Sequence, residues 1–253
     1  RRTRARNNCF CNWVARVSMP EKAGANSVGP NLALSPDGSR LAFIGSYEGR
    51  DFLWVRPLDS LSAQPLQGTE GAAVSTPFWS ADSRFIGYFA GGKLKKIDAS
   101  GGPPQTVCYA PDGRGGAWNS DGVIIFSPGA TGPLYQVPAE GGEPVPVTVI
   151  DDSRHEISHR WPCFLPDGRH FIYLVRSSQV ENTRIWVASL DSKDAKPLLP
   201  SVSSAVYAPP GFLLFTRKET LMAESFDSKT LELKGEPFPV AQPVAFNMGL
   251  GRA

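Results

Sequence analysis

From about residue 30 onward the chain repeats one pattern: a polar turn, a short apolar run, a second apolar run, and a weaker segment near a proline. The first runs are Leu41–Ile44, Phe85–Phe89, Val123–Phe126, Phe171–Val175 and Phe212–Phe215. They are too short for helices, rich in β-branched and aromatic residues and bounded by turn residues, which predicts strands. Each follows a four-residue turn signal: Ser35-Pro36-Asp37-Gly38, Ser80-Ala81-Asp82-Ser83, Asn119-Ser120-Asp121-Gly122, Leu165-Pro166-Asp167-Gly168 and Ala208-Pro209-Pro210-Gly211. Proline presets φ in such a turn and glycine accepts positive φ.

The second runs keep the same order: Leu53–Val55, Leu94–Ile97, Leu134–Val137, Ile185–Val187 and Leu221–Ala223. The third segments are Gln64–Leu66, Gln105–Val107, Pro144–Val147, Lys196–Leu199 and Pro237–Val240. The prolines near them suit an edge strand, where a missing N–H removes no ladder bond. A large apolar residue also precedes each turn: Leu34, Trp79, Trp118, Phe164 and Tyr207, expected to fill the space between neighbouring sheets.

The whole unit recurs at a spacing of about 43 residues, the period of a β-propeller blade. One four-stranded sheet cannot bury both its faces, so it stacks on the next, and radial repetition organises the set. The predicted class is all-β: a propeller of four-stranded antiparallel blades, five of them plus part of a sixth, implying six or more in a parent protein. The expected blades are 30–71, 72–111, 112–156, 157–201 and 202–244, with 245–253 opening a further one. Val14–Met19 reads as an isolated strand able to pair with the last sheet. Residues 1–13, led by Arg1-Arg2-Thr3-Arg4-Ala5-Arg6, are expected to be a disordered basic leader ahead of a propeller over 14–253.

Composition narrows the function. A net charge of +2 with 20% charged residues gives no global bias toward nucleic acid or an acidic membrane. No apolar stretch approaches the length of a spanning helix. Cys9, Cys11, Cys108 and Cys163 form neither a disulfide framework nor a Cys-x-x-Cys metal pattern; Cys9 and Cys11 read as incidental thiols in the leader.

The string Ser35–Phe43 resembles the WD-repeat-like propeller unit of TolB-type proteins. Longer strings are more particular: Leu53-Trp54-Val55-Arg56-Pro57-Leu58-Asp59, Gly92–Asp98, Ser158-His159-Arg160-Trp161-Pro162, Leu165–Phe171 and Gly235–Val240. Together they resemble the C-terminal propeller of acidobacterial-type bacterial serine/threonine protein kinases. The resemblance implies a sensor or interaction domain outside the cytoplasmic membrane, with a protein, a peptide or a small ligand as partner. It does not make the chain a kinase, because no phosphate loop opening a helix, His-Arg-Asp or Asp-Phe-Gly triplet occurs. An accessory propeller of a prolyl-oligopeptidase-like peptidase, or a free-standing TolB-like interaction protein, are the alternatives.

Candidate chemistry is sparse, and no catalytic residue or cofactor is expected. His155-Glu156-Ile157-Ser158-His159 matches the His-Glu-x-x-His zinc pattern, which needs both histidines on one helix face. Trp161-Pro162 follows at once, and proline drives its predecessor out of helical space. A metal on His155, Glu156 and His159 is therefore the weaker reading, and a polar connection between blades the stronger. Gly113-Arg114-Gly115-Gly116 is glycine-rich but falls at a blade junction. Aligning the turns places Arg114 and Arg160 at equivalent positions leading into channel-lining strands. With His159 beside them they form the candidate binding set at the channel mouth, suited to a carboxylate or a peptide terminus.

Overall fold

Short polar side chains build four of the five turns that open the blade hairpins. In a computed structural model describing residues 32–72 and 75–244, Ser35 Oγ donates to Asp37 Oδ1 at 2.5 Å and accepts the Arg40 N–H at 2.9 Å. Asp37 Oδ1 also accepts the Ser39 N–H at 2.9 Å. Ser80 and Asp82 repeat the arrangement, with Phe85 N–H donating to Ser80 Oγ at 2.8 Å and Arg84 N–H to Asp82 Oδ1 at 3.1 Å. Asn119 Oδ1 accepts from the N–H groups of Asp121 and Val123, and Asp167 Oδ1 from those of Arg169 and His170. The fifth turn, Pro209-Pro210-Gly211, lacks such a side chain, and Tyr207 Oη instead donates to the Pro210 carbonyl at 3.1 Å.

Each turn joins the first two strands of a four-stranded antiparallel blade. The first blade is β1 (Leu32–Leu34), β2 (Arg40–Tyr47), β3 (Arg50–Pro57) and β4 (Gln64–Pro65). The second is β5 (Phe78–Trp79), β6 (Phe85–Ala90), β7 (Lys93–Asp98) and β8 (Gln105–Tyr109). The third is β9 (Gly116–Trp118), β10 (Val123–Phe126), β11 (Tyr135–Pro138) and β12 (Val145–Pro146). The fourth is β13 (Glu156–Phe164), β14 (His170–Ser177), β15 (Arg184–Ser189) and β16 (Ala195–Pro200). The fifth is β17 (Ala205–Ala208), β18 (Phe212–Arg217), β19 (Thr220–Asp227) and β20 (Glu232–Ala241). Strand order in every sheet follows chain order. The first strands β1, β5, β9, β13 and β17 touch in succession, which gives the five complete propeller blades expected, over the described residues. The weak proline-bearing segments are the fourth strands. The leader, Val14–Met19 and the start of a further blade at 245–253 lie outside the described residues.

The apolar runs are continuous because each blade is buried on both faces. Successive side chains of a strand point to opposite faces, so Ile172 and Leu174 pack toward the fifth blade while Phe171, Tyr173 and Val175 pack toward the third. Ile124 and Phe126 likewise meet Phe78, Phe89 and Leu94 of the second blade. Trp79, Trp118, Phe164 and Tyr207 all pack into the core shared with the preceding blade, as expected. Leu34 does not: it is 43% exposed, and no blade among the described residues precedes its own.

Turns also latch blades together. Asp37 N–H donates to Ser83 Oγ at 3.0 Å, and Asn119 Nδ2 to the Gly168 carbonyl at 2.8 Å. The Ser35 hydroxyl, then the Ser39 N–H and hydroxyl, lower the Asp37 pKa to about 2. A depressed folded-state pKa means the contribution is complete above the unfolded value of 3.8 and is lost as pH falls toward 2. Asp37→Asn should therefore be less stable than wild type at neutral pH, with the gap closing over that acidic window. Parallel urea titrations across the pH series test this, and a gap independent of pH contradicts it.

Candidate functional site

The blade 3–blade 4 junction gathers the polar chemistry. Two straps tie it. Trp161 N–H donates to the Arg114 carbonyl at 3.1 Å, and the loop after β10 pairs with β13 through Gly132 N–H to Ile157 O (3.0 Å) and His159 N–H to Gly132 O (2.9 Å). Because β13 has this second partner, it begins at Glu156, one residue ahead of the blade boundary expected from sequence. The glycines of 113–116 admit aromatic rings rather than a phosphate. A Cβ on Gly113 would lie 2.2 Å from the Phe89 ring, on Gly115 2.4 Å from the Trp161 ring, and on Gly116 2.4 Å from the Phe78 ring.

Arg160 is 4% exposed. Its Nε donates to Ser158 Oγ at 2.9 Å, and a terminal nitrogen reaches the Ala130 carbonyl. Arg114 is paired by both terminal nitrogens with Asp112, at 2.6 and 2.7 Å. Burial, then the nearby charges of Arg176 and Arg114, push the Arg160 pKa down to about 10, offset in part by Asp112. Arg176 was not part of the sequence-based set. It stands directly opposite Ser158 in the β13–β14 register, beside Arg160, and among the described residues its side chain has no hydrogen bond or ion pair. In the sequence it looks like an ordinary strand end, and only the register brings it here. Arg160 thus lies near two other guanidinium groups and one carboxylate, and that carboxylate is paired with Arg114.

His159 does not join them. Adjacent residues of a strand face opposite ways, so His159, 1% exposed, points to the other side of β13. Its Nδ1 lies 2.8 Å from Thr148 Oγ1 and its Nε2 3.1 Å from Glu156 Oε2. An ionised carboxylate only accepts, so the shared hydrogen sits on Nε2. Glu156 Oε2 also accepts the Asp151 N–H at 2.9 Å, and Oε1 accepts Arg154 Nε at 2.8 Å. Burial pushes the Glu156 carboxyl up, but the His159, Asp151 and Arg154 hydrogen bonds outweigh it and hold it below its ordinary value. Arg154 also pairs with Asp151 at 2.7 Å and lies over the Trp186 ring, 4.7 Å from its centroid.

The zinc-like motif is thereby redistributed. His155 is an exposed left-handed residue (φ 55°) closing a single 3-10 turn, Asp152–Arg154, while Glu156 and His159 are buried on a strand. The motif therefore lies mostly on β13 rather than in the connection expected from sequence. Among the described residues no group of three or more His, Cys, Asp or Glu side chains is placed to hold a metal. No described helix is long and apolar enough to cross a membrane.

The architecture is that of a β-propeller, and comparison with solved structures agrees. No family model and no curated protein matches the sequence. TolB from Acinetobacter baumannii superposes with a TM-score of 0.66 at 13% identity, over 86% of this chain and 55% of TolB, so the chain spans just over half the length of that protein. A chain of a nidogen/laminin complex superposes with a TM-score of 0.63 at 9% identity, over 82% of this chain and 78% of that one. A prolyl endopeptidase superposes with a TM-score of 0.52 at 15% identity, over 80% of this chain and 34% of that one. At these identities the likeness is one of fold.

Proposed function

We propose that this chain is a non-catalytic propeller scaffold that receives a carboxylate-bearing protein or peptide at Arg114, Arg160 and Arg176. The observation that carries this reading is the charge around Arg160: Arg114 and Arg176 lie near it, Asp112 offsets them in part, and the Arg176 side chain has no hydrogen bond or ion pair among the described residues. Guanidinium forks bind carboxylates with paired, charge-assisted hydrogen bonds. TolB-like neighbours support an interaction scaffold, and the kinase-like strings support a role as the sensor domain of a receptor-like bacterial serine/threonine kinase, on the outer side of the membrane.

The test compares one peptide pool as free acids and as C-terminal amides. Free acids should bind more tightly, and added salt should weaken them. Arg176→Met should weaken the free acids about tenfold, in line with a charge-assisted hydrogen bond, without lowering Tm, since the side chain it removes has no protein partner. Equal binding of acid and amide rejects the site. The fold likeness to a prolyl endopeptidase is the basis of the second reading, an accessory propeller of a peptidase, and the flanking gene separates the two: a kinase domain and membrane helix encoded upstream, or a hydrolase domain downstream.

A further inference from the structure

A second site lies on the opposite side of β13, independent of the arginine cluster. A crevice of about 520 Å³ runs between the 147–154 connection and the blade-3 face of the fourth blade. It is lined by Glu156, His159 and Tyr173 and, on the later strands of the blade and their connection, by Trp186, Lys193 and Ala195. Tyr173 and Trp186 are directly opposed cross-strand partners on β14 and β15.

Tyr173 is 3% exposed, yet among the described residues its hydroxyl has no hydrogen-bond partner. The Trp186 indole N–H is buried and also unpartnered. Folded proteins rarely leave a buried donor such as the Trp186 N–H unmet, while the Tyr173 hydroxyl keeps a small opening onto the crevice. The Glu156 and Asp151 acceptors are already committed: Glu156 to His159, Asp151 N–H and Arg154, and Asp151 to Arg154 and the Ser153 N–H. Open donors outnumber the one open carboxylate, Asp152: they are the Tyr173 hydroxyl, the Trp186 N–H, the Lys193 ammonium and one terminal nitrogen of Arg154, whose side chain is 47% exposed. Burial, with the Glu156 charge adding to it, pushes the Tyr173 pKa up, which keeps the hydroxyl a donor.

The missing group is therefore an acceptor. It is a neutral one, because the carboxylates of Asp151, Asp152 and Glu156 outnumber the cations of Arg154 and Lys193 along the crevice. Part of the wall is apolar, with Val149 and Ile150 at the connection and Ala195 and Pro197 on β16. We propose that this crevice binds a neutral peptide segment, its amide carbonyl accepting from Tyr173 and Arg154 and its apolar side chain resting against Val149 and Ile150.

The probe is N-acetyl-leucine methylamide, with N-acetyl-leucine free acid as the charged comparison. The readout is the Trp186 indole N–H resonance of ¹⁵N-labelled protein, assigned with Trp186→Phe. The blocked amide should shift that resonance saturably at millimolar concentration and bind more tightly than the acid. Tyr173→Phe should weaken it about three- to tenfold, the worth of one hydrogen bond, while leaving Tm unchanged or higher. Three results each overturn the proposal: no saturable shift in wild type, binding of the acid at least as tight as the amide, or undiminished binding by Tyr173→Phe. A clear fall in Tm on Tyr173→Phe overturns it too, since the hydroxyl would then have a structural partner.

Discussion

Gly115→Ala is expected to destabilise the protein by about 3 kcal/mol or more, the sum of core overpacking and a forced left-handed backbone. The added Cβ would lie 2.4 Å from Trp161 Cε3 and 3.2 Å from Trp161 Cα, at a φ of +89°. Neither side can yield. Trp161 is itself left-handed (φ 53°), with its N–H on the Arg114 carbonyl, and Gly115 N–H is tied to Ser75 Oγ at 3.1 Å. Gly122→Ala is the control. Its φ is +78° but nothing lies within 4 Å of the new Cβ, so it should lose only about 1–2 kcal/mol of conformational preference. Urea unfolding of the two variants measures the difference. Equal losses would mean that the ring contact is not what requires glycine at 115.

Glu156→Ala should cost about 3–5 kcal/mol, as expected when one member of a buried charged network is removed and the rest stay behind. Arg154 Nε, the Asp151 N–H and His159 Nε2 would all lose their acceptor, and the Glu156 side chain they surround is only 2% exposed. Glu156→Gln keeps one carbonyl oxygen and should cost less. The pH dependence separates charge from shape. The folded Glu156 carboxyl titrates below its ordinary 4.5, so its contribution is full above that value and fades as pH falls through the folded-state pKa. Wild type should lose stability in that acidic window more steeply than Glu156→Gln. Identical slopes would show that Glu156 is not ionised in the folded protein.

Much of this architecture is legible in one dimension because the blade is a local object. Strand, turn and returning strand are neighbours in sequence, and the Ser35–Asp37 and Ser80–Asp82 turns close on their own side chains within a few residues. The anchors Trp79, Trp118, Phe164 and Tyr207 are equally readable, since each recurs at the same place in its blade. The exceptions arise where a blade meets something outside its own repeat. Leu34 fits the anchor pattern but has no earlier described blade to pack on. Glu156–His159 looks like a linker until the Gly132 loop pairs with it and draws it into β13.

The candidate sites divide the same way. Turn alignment places Arg114 and Arg160 at equivalent positions, and alignment operates on sequence alone. It cannot assign faces, so it grouped His159 with them although strand alternation sends that ring toward Thr148, Glu156 and Tyr173. Nor can it find Arg176, which enters only through antiparallel register, or the unmet hydroxyl of Tyr173, which is defined by what surrounds it.

By itself, then, the sequence determined the class of fold, the blade count over the described residues and the turn chemistry. All of these depend on contacts within one repeat of about 43 residues. Only the tertiary structure decided which face of β13 each side chain takes, why Gly113, Gly115 and Gly116 must be glycine, and which polar groups meet across two blades. Those outcomes are set by register and by ring-to-backbone packing between residues far apart in the chain, where no local pattern carries the information.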